Sequence, residues 1–285
     1  MDLSLYLPQI EEIIERALEE DVAQGDITTN LLISPHIKAN ARIISKTNGI
    51  LAGIEIAKIV FHHVDPFLKL SATLKDGSSI KLHDTILTIE GSANSILKGE
   101  RTVLNFLQHL SGIATKTSLY VAAVKDIPVK ILDTRKTVPG IRILQKYAVT
   151  VGGGYNHRLN LGEMVLIKDN HIAVLRKQGM HLIQIIEKAR KAAPTGTKIE
   201  IETTTVADAL QAVESGTDIV MLDNMSTTAM HQAVMMINHR AITEASGGVN
   251  LDNIREIAET GVDWISVGAL THSINALDIS LEIEY

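Results

Sequence analysis

Apolar residues at Ile10, Ile13, Ile14, Ala17 and Leu18 fall three and four positions apart behind Pro8. That spacing lays them on one face of an amphipathic helix of about four turns, which Asp21 and Gly25 bring to an end. The pattern then shortens. Between about 37 and 91, alternation through Ala39 to Ile44 predicts a strand, Gly49-Ile-Leu-Ala-Gly53 another short piece, Ile54 to His63 a small helix, and Asp76-Gly77 a hairpin. These elements make a small mixed α+β domain. Helical spacing returns from about Ala93 to Val124, with a predicted break at Ser111-Gly112 that marks a domain boundary.

After Pro128, short apolar runs alternate with helical segments of roughly 10 to 15 residues, the pattern of a parallel β/α arrangement. Six strands are predicted: Val129–Asp133, Met164–Lys168, Lys198–Glu202, Asp218–Asp223, Ala241–Ala245 and Trp264–Gly268. Six is short of the eight of a full TIM barrel, which leaves a reduced barrel or an open parallel sheet. Leu277, Ile279, Leu281, Ile283 and Tyr285 alternate with polar partners, so the chain end is expected to return as a strand to the small domain's sheet. The expected division is 1–110 with 271–285 for the small domain and 111–270 for the β/α domain.

The chain has 285 residues and is 45% hydrophobic, enough to fill a sizeable core. Its 27 Lys+Arg against 33 Asp+Glu give a net charge of -6, which argues against a nucleic-acid binder and makes any anion site local. No apolar run approaches the roughly 18 residues that span a bilayer, and the N-terminus lacks a basic start, so no membrane partner and a cytoplasmic protein are expected. The absence of cysteine removes thiolate chemistry and leaves carboxylates, His, Lys, Arg and hydroxyls.

Each predicted strand delivers polar or small residues at its carboxyl end, where parallel β/α folds build their sites. Arg135, Lys136, His157, Arg158 and Lys168 gather on two neighbouring segments, a cation cluster suited to a substrate with several carboxylates or phosphates. Solvated helix-face charges are the plainer reading. Glu202 and Asp223, on adjacent strand ends, could hold Mg²⁺ directly or through water, or could each pair with a lysine. Ser246-Gly247-Gly248 and Gly268-Ala269 could close backbone N–H groups on a phosphate at a helix N-terminus, or could be ordinary tight turns. No GxSxG and no HExxH motif is present, and His62 and His63 read as the polar edge of their helix.

Several strings together carry a resemblance: Glu100-Arg-Thr-Val-Leu-Asn-Phe-Leu-Gln108, Leu110-Ser-Gly-Ile-Ala-Thr115, Asp133-Thr-Arg-Lys-Thr137, Lys146-Tyr-Ala-Val149, Asn156-His-Arg158, Ile167-Lys-Asp-Asn-His-Ile172 and Ile265-Ser-Val-Gly-Ala-Leu270. In this order, from Gly25 to Ser273, the chain closely resembles the quinolinate phosphoribosyltransferases. The resemblance implies an incomplete, about six-stranded α/β barrel with a smaller N-terminal α+β open-sandwich domain, in dimers or dimer-built hexamers. It implies transfer of phosphoribose from 5-phosphoribosyl-1-pyrophosphate (PRPP) to quinolinate with decarboxylation, in de novo NAD biosynthesis. It also assigns roles. Arg135, His157 and Arg158 hold the dicarboxylate, Arg101 reaches in from the partner subunit, Lys136 and Lys168 are catalytic, Glu202 and Asp223 serve Mg²⁺-bound PRPP, and the glycine turns take its phosphate. Apart from the resemblance, the residues also admit a Schiff-base aldolase using Lys136 or Lys168, or a non-catalytic binder of phosphorylated metabolites.

Overall fold

The structure is a computed structural model and describes residues 1–284; the expected end of the last strand, Tyr285, lies outside the described residues. Contacts divide the chain into two compact units, residues 1–118, 137–153 and 270–285 in one, and 119–136 with 154–269 in the other. The first therefore takes in 111–118 and 137–153, which the sequence pattern groups with the β/α domain. Among the described residues no helix is long and apolar enough to cross a membrane.

In the first unit, helix α1 (Leu7–Val22) follows a short 3-10 turn and buries Ile10, Ile14 and Leu18, as its spacing predicts. After α2 (Ile27–Leu32) come β1 (Lys38–Ser45), β2 (Gly49–Ile50), α3 (Ile54–Val64), β3 (Lys69–Ala72), β4 (Ser79–Ile80) and β5 (Thr85–Ser92). Asp76-Gly77 does not close a hairpin between β3 and β4: β3 pairs with β5, and β4 with β2. The Asp76 carboxylate instead accepts the N–H groups of Gly53 and Ile54, supplying the side-chain cap that α3 lacks at Gly53, and it also accepts the Tyr147 hydroxyl.

Helix α4 (Ala93–Ala123) runs unbroken through the expected break. A Cβ on Gly112 would lie 2.3 Å from the Asn275 carbonyl oxygen, and Ser111 Oγ accepts the Ala52 N–H at 3.0 Å. The small residues there admit neighbouring backbone, and that close packing outweighs their weak helix propensity. Helix α5 (Arg142–Val151) also belongs to this unit. At the chain end β12 (Ile279–Glu284) pairs antiparallel with β1 and completes a sheet of order β12-β1-β5-β3, so the returning strand is where its alternation places it.

The second unit is built on six parallel strands, β6 (Lys130–Leu132), β7 (Val165–Ile167), β8 (Ile199–Thr203), β9 (Ile219–Asp223), β10 (Ile242–Ser246) and β11 (Trp264–Ser266), in the order β6-β11-β10-β9-β8-β7. All six fall within the predicted apolar runs or within a residue of them. The intervening helices are α6 (Asp169–Lys177), α7 (Leu182–Ala192), α8 (Val206–Glu214), α9 (Thr227–Ile237) and α10 (Ile254–Glu259), with the short α11 (Ala269–His272) after β11. Thr205 and Ser226 cap α8 and α9 by accepting backbone N–H groups, so polar residues just past β8 and β9 include true N-caps. The edge strands β6 and β7 both send residues to one cavity, which a flat sheet could not do; the sheet curls and fits a partial α/β barrel.

Candidate active site

Side chains two apart on a strand share a face, and the inward face here carries Leu166 and Lys168, Met221 and Asp223, Glu244 and Ser246, with Glu202 and Ser266 beside them. They line a cavity of about 610 Å³ at the carboxyl ends of the strands, together with Thr134, Arg135, Lys136, His157, Arg158, Asp169, Asn224, Gly247 and Gly248. The sequence-predicted cations, both carboxylates and the Ser246–Gly248 turn thus meet in one place. Gly268 and Ala269 do not line it. Arg101 is exposed on α4, in the other compact unit, and is not among the lining residues.

The segment 156–158 is held from several directions. Asp133, fully buried at the end of β6, accepts the His157 N–H at 3.0 Å and the Asn156 side-chain amide. Arg158 is 8% exposed and donates to the Met164 carbonyl at 3.2 Å. Burial, and then repulsion from Arg135, lower the Arg158 guanidinium from its ordinary value, with Glu200 and Glu202 opposing. Two guanidinium groups held near each other favour an anion bound against both.

On the carboxylate side, Lys168 Nζ lies 2.5 Å from Glu202 Oε1, and the Asp169 N–H donates to Oε2 at 3.2 Å. Glu202 is therefore an ion-pair partner of Lys168. Asp223 accepts from the Asn224 side-chain amide at 2.9 Å. Asn224 (φ 52) and Gly247 (φ 91) are both left-handed, and a Cβ on Gly247 would lie 2.2 Å from Asn224 Oδ1. The turn after β10 is thus fitted against the end of β9. Its glycines do not open directly into a helix: α10 begins only at Ile254, so a phosphate here would meet turn N–H groups rather than a helix N-terminus.

Two buried glutamates that the sequence reading does not single out stand beside His157, Glu244 in the lining and Glu200 outside it. Glu200 on β8 and Glu244 on β10 are both 0% exposed. Their Oε2 atoms stand 3.1 and 3.4 Å from His157 Nε2, and Ser266 Oγ donates to Glu244 Oε1. Burial disfavours charge on the imidazole, but contacts with the two carboxylates outweigh it and raise His157 to about 10. Burial raises Glu200 to about 7, against the pull of His157. The Arg158 N–H lies 2.9 Å from Nδ1, an approach that suits the neutral ring, while the carboxylates favour the imidazolium. In both forms Nε2 carries the ring's proton and lies at ion-pair distance from the carboxylates. Charged residues inside otherwise apolar strands, as in Ile199-Glu-Ile-Glu202 and Thr243-Glu244, are the sequence signal that could have found them.

Comparison with known proteins gives a consistent result. Residues 26–111 match the family described as "Quinolinate phosphoribosyl transferase, N-terminal domain", and residues 113–282 match the corresponding C-terminal domain. The chain is 38% identical over 275 residues to a probable nicotinate-nucleotide pyrophosphorylase [carboxylating] of Bacillus subtilis (strain 168), covering 96% of this chain and 93% of the relative. Among solved structures, NadC from Streptococcus pyogenes is 40% identical with a TM-score of 0.93, over 100% of this chain and 99% of that one. The nicotinate-nucleotide pyrophosphorylase from Francisella tularensis is 38% identical with a TM-score of 0.90, over 97% and 96%. With both domains matched in order and relatives of this identity over nearly the full length, the chain belongs to the quinolinate phosphoribosyltransferase family.

Proposed function

We propose that the chain transfers the phosphoribosyl group of PRPP to the ring nitrogen of quinolinate and releases one carboxylate as CO₂, giving nicotinate mononucleotide and pyrophosphate. One juxtaposition carries the reading: a single cavity holds a guanidinium pair, two lysines, two strand-end carboxylates and a glycine turn. A dicarboxylate and a phosphorylated sugar need these two kinds of surface side by side. A Schiff-base lyase is not favoured, because Lys168 Nζ is engaged in an ion pair with Glu202.

Arg135 and Arg158 grip the carboxylates of quinolinate and fix its nitrogen in line with C1 of the ribose. The nitrogen lone pair forms the bond to C1 as the C1–O bond breaks and its electron pair leaves on pyrophosphate. Lys136 and Lys168 stabilise the charge that gathers on that leaving group. The pyridinium so formed stabilises the electron pair left when the adjacent C–CO₂⁻ bond breaks, and a proton from the medium replaces the CO₂. Glu202 and Asp223, all-oxygen donors on neighbouring strands, fit a hydrated Mg²⁺ held jointly with substrate phosphates. When bound, Mg²⁺ would supply positive charge to the pyrophosphate. The Ser246–Gly248 turn takes the phosphate.

The small domain is an open sandwich of helices on the four-stranded sheet, and the active species is a homodimer or an assembly of dimers. The exposed setting of Arg101 supports a role in trans, in which it completes the partner's dicarboxylate clamp. The test is release of pyrophosphate and CO₂ in equal amounts from quinolinate and PRPP, dependent on Mg²⁺. Pyrophosphate without CO₂, or no reaction at all, would refute the reading.

A further inference from the structure

We propose that Glu200 and Glu244 are positioning residues for the dicarboxylate site: together they hold the imidazole of His157, and through it the Asn156–Arg158 segment, in place beneath the substrate. The inference rests on the quinolinate reading and goes beneath it, to Glu200, which does not line the cavity, and Glu244, which lines it but is fully buried.

Placing two carboxylates in a strand interior is costly. Each loses its hydration, and an apolar side chain of similar size often serves packing better. The same inward face shows that apolar residues fit at this depth, since Leu166 on β7 and Met221 on β9 line the cavity there. Neither oxygen of Glu200 accepts a hydrogen bond among the described residues, and Glu244 takes one on Oε1, from Ser266. What both face is Nε2 of His157, at ion-pair distances of 3.1 Å for one and 3.4 Å for the other, from strands on either side of β9. Carboxylates on two sides of Nε2 restrain rotation of the ring about its side-chain bonds. Its other nitrogen faces the Arg158 N–H at 2.9 Å, so the ring's orientation is passed directly to the backbone of the arginine that grips the carboxylate. Asp133 fixes the preceding backbone and the Met164 carbonyl accepts from the Arg158 guanidinium, which leaves the ring orientation as what the glutamates determine.

The test compares Glu200→Leu and Glu244→Leu with Glu200→Gln and Glu244→Gln, measuring KM for quinolinate, KM for PRPP, kcat and Tm in each. The Leu variants are expected to raise KM for quinolinate about tenfold or more while KM for PRPP stays within about twofold, the split of a lost positioning contact. Glutamine retains an acceptor oxygen for Nε2–H and should restore most of the quinolinate affinity. A merely structural role would lower Tm and move both KM values together, or neither, and either result overturns the proposal. Should the Leu variants fail to fold, Ser266→Ala carries the test: it frees Glu244 at the cost of one hydroxyl and should raise KM for quinolinate alone. An unchanged value there also overturns it. ¹⁵N-imidazole spectra of the unliganded protein separate this inference from the activity reading. If quinolinate is not a substrate but the His157 nitrogen shifts move in Glu200→Gln and Glu244→Gln, the activity reading fails and the anchor stands. If the shifts do not move, the anchor fails whatever the substrate.

Discussion

Adding one methyl group to Gly247 tests whether the turn after β10 is fitted to the PRPP side of the site. Gly247 sits at φ 91, and its missing Cβ would fall 2.2, 2.5 and 2.8 Å from Oδ1, Cγ and Nδ2 of Asn224. Asn224 must move in Gly247→Ala, and its amide donates to Asp223 at 2.9 Å. The backbone penalty for a non-glycine residue in this region is about 1–2 kcal/mol. It is paid in stability and should lower Tm by roughly 2–8 °C in a chain of this size. Losing a hydrogen bond to a charged group costs about 1.5 kcal/mol at the low end, near a tenfold weakening, and this part should appear in KM for PRPP because Asp223 is on the metal-phosphate side.

The neighbouring glycine supplies the control. Gly248 has φ 64, and no atom lies within 4 Å of its missing Cβ. Gly248→Ala should therefore lose about 1 kcal/mol of stability without displacing Asn224, so any rise in its KM for PRPP reports only the methyl group's approach to the phosphate and should be smaller than that of Gly247→Ala. Thermal unfolding and PRPP saturation curves at fixed quinolinate measure both effects. Equal PRPP affinity in the two variants would show that Asn224 does not transmit the clash, and the link from the turn to Asp223 would fall.

Arg135→Ala and Arg158→Ala should each raise KM for quinolinate and lower kcat/KM by about 2–4 kcal/mol, with nicotinate a poor substrate of the parent; comparable turnover of nicotinate would place these arginines outside the clamp. Glu202→Ala and Asp223→Ala should weaken Mg²⁺-dependent use of PRPP and leave quinolinate binding, measured by calorimetry, nearly intact. If Arg101 acts in trans, inactive Arg101→Ala and Lys136→Ala protomers refolded together should regain about a quarter of parental activity, since half the dimers are mixed and each has one intact site. Asp126 is lowered to about 2 chiefly by its hydrogen bonds from Arg255, on either side of its carboxylate at 3.0 and 2.8 Å. A lowered carboxyl stabilises the fold above its ordinary 3.8 and loses that contribution as pH falls through the folded value, so the Tm difference between parent and Asp126→Asn should shrink from pH 4 downward.

The β/α strands were legible because strands covered on both faces read as short continuous apolar runs, whatever their neighbours in space. Polar strand ends were legible for a related reason: a parallel sheet exposes them together. Features set by distant partners were not. Gly112 reads as a helix breaker until residues 275–276 are seen against it. Asp76 reads as a turn residue, which it is, but its carboxylate serves a helix start more than twenty residues earlier in the chain. Arg101 has no spacing relation to the strand ends, so the family resemblance alone ties it to them.

Glu200 and Glu202 show where pattern reading loses resolution. They lie on one strand, on one face, a single pleat apart, a separation of about 7 Å along the chain. Glu202 is 11% exposed and paired with a lysine that lies at the cavity, while Glu200 is 0% exposed and held against His157. Alternation places both inward and says nothing of depth, because depth depends on how far the sheet curls and on what enters its mouth. Here the entering group is the 156–158 segment, which covers the lower carboxylate and leaves the upper one open to ligand. The same residue type at the same pleat phase can thus exchange its partner for a substrate or keep it for the life of the fold. A loop more than forty residues earlier in the chain decides which.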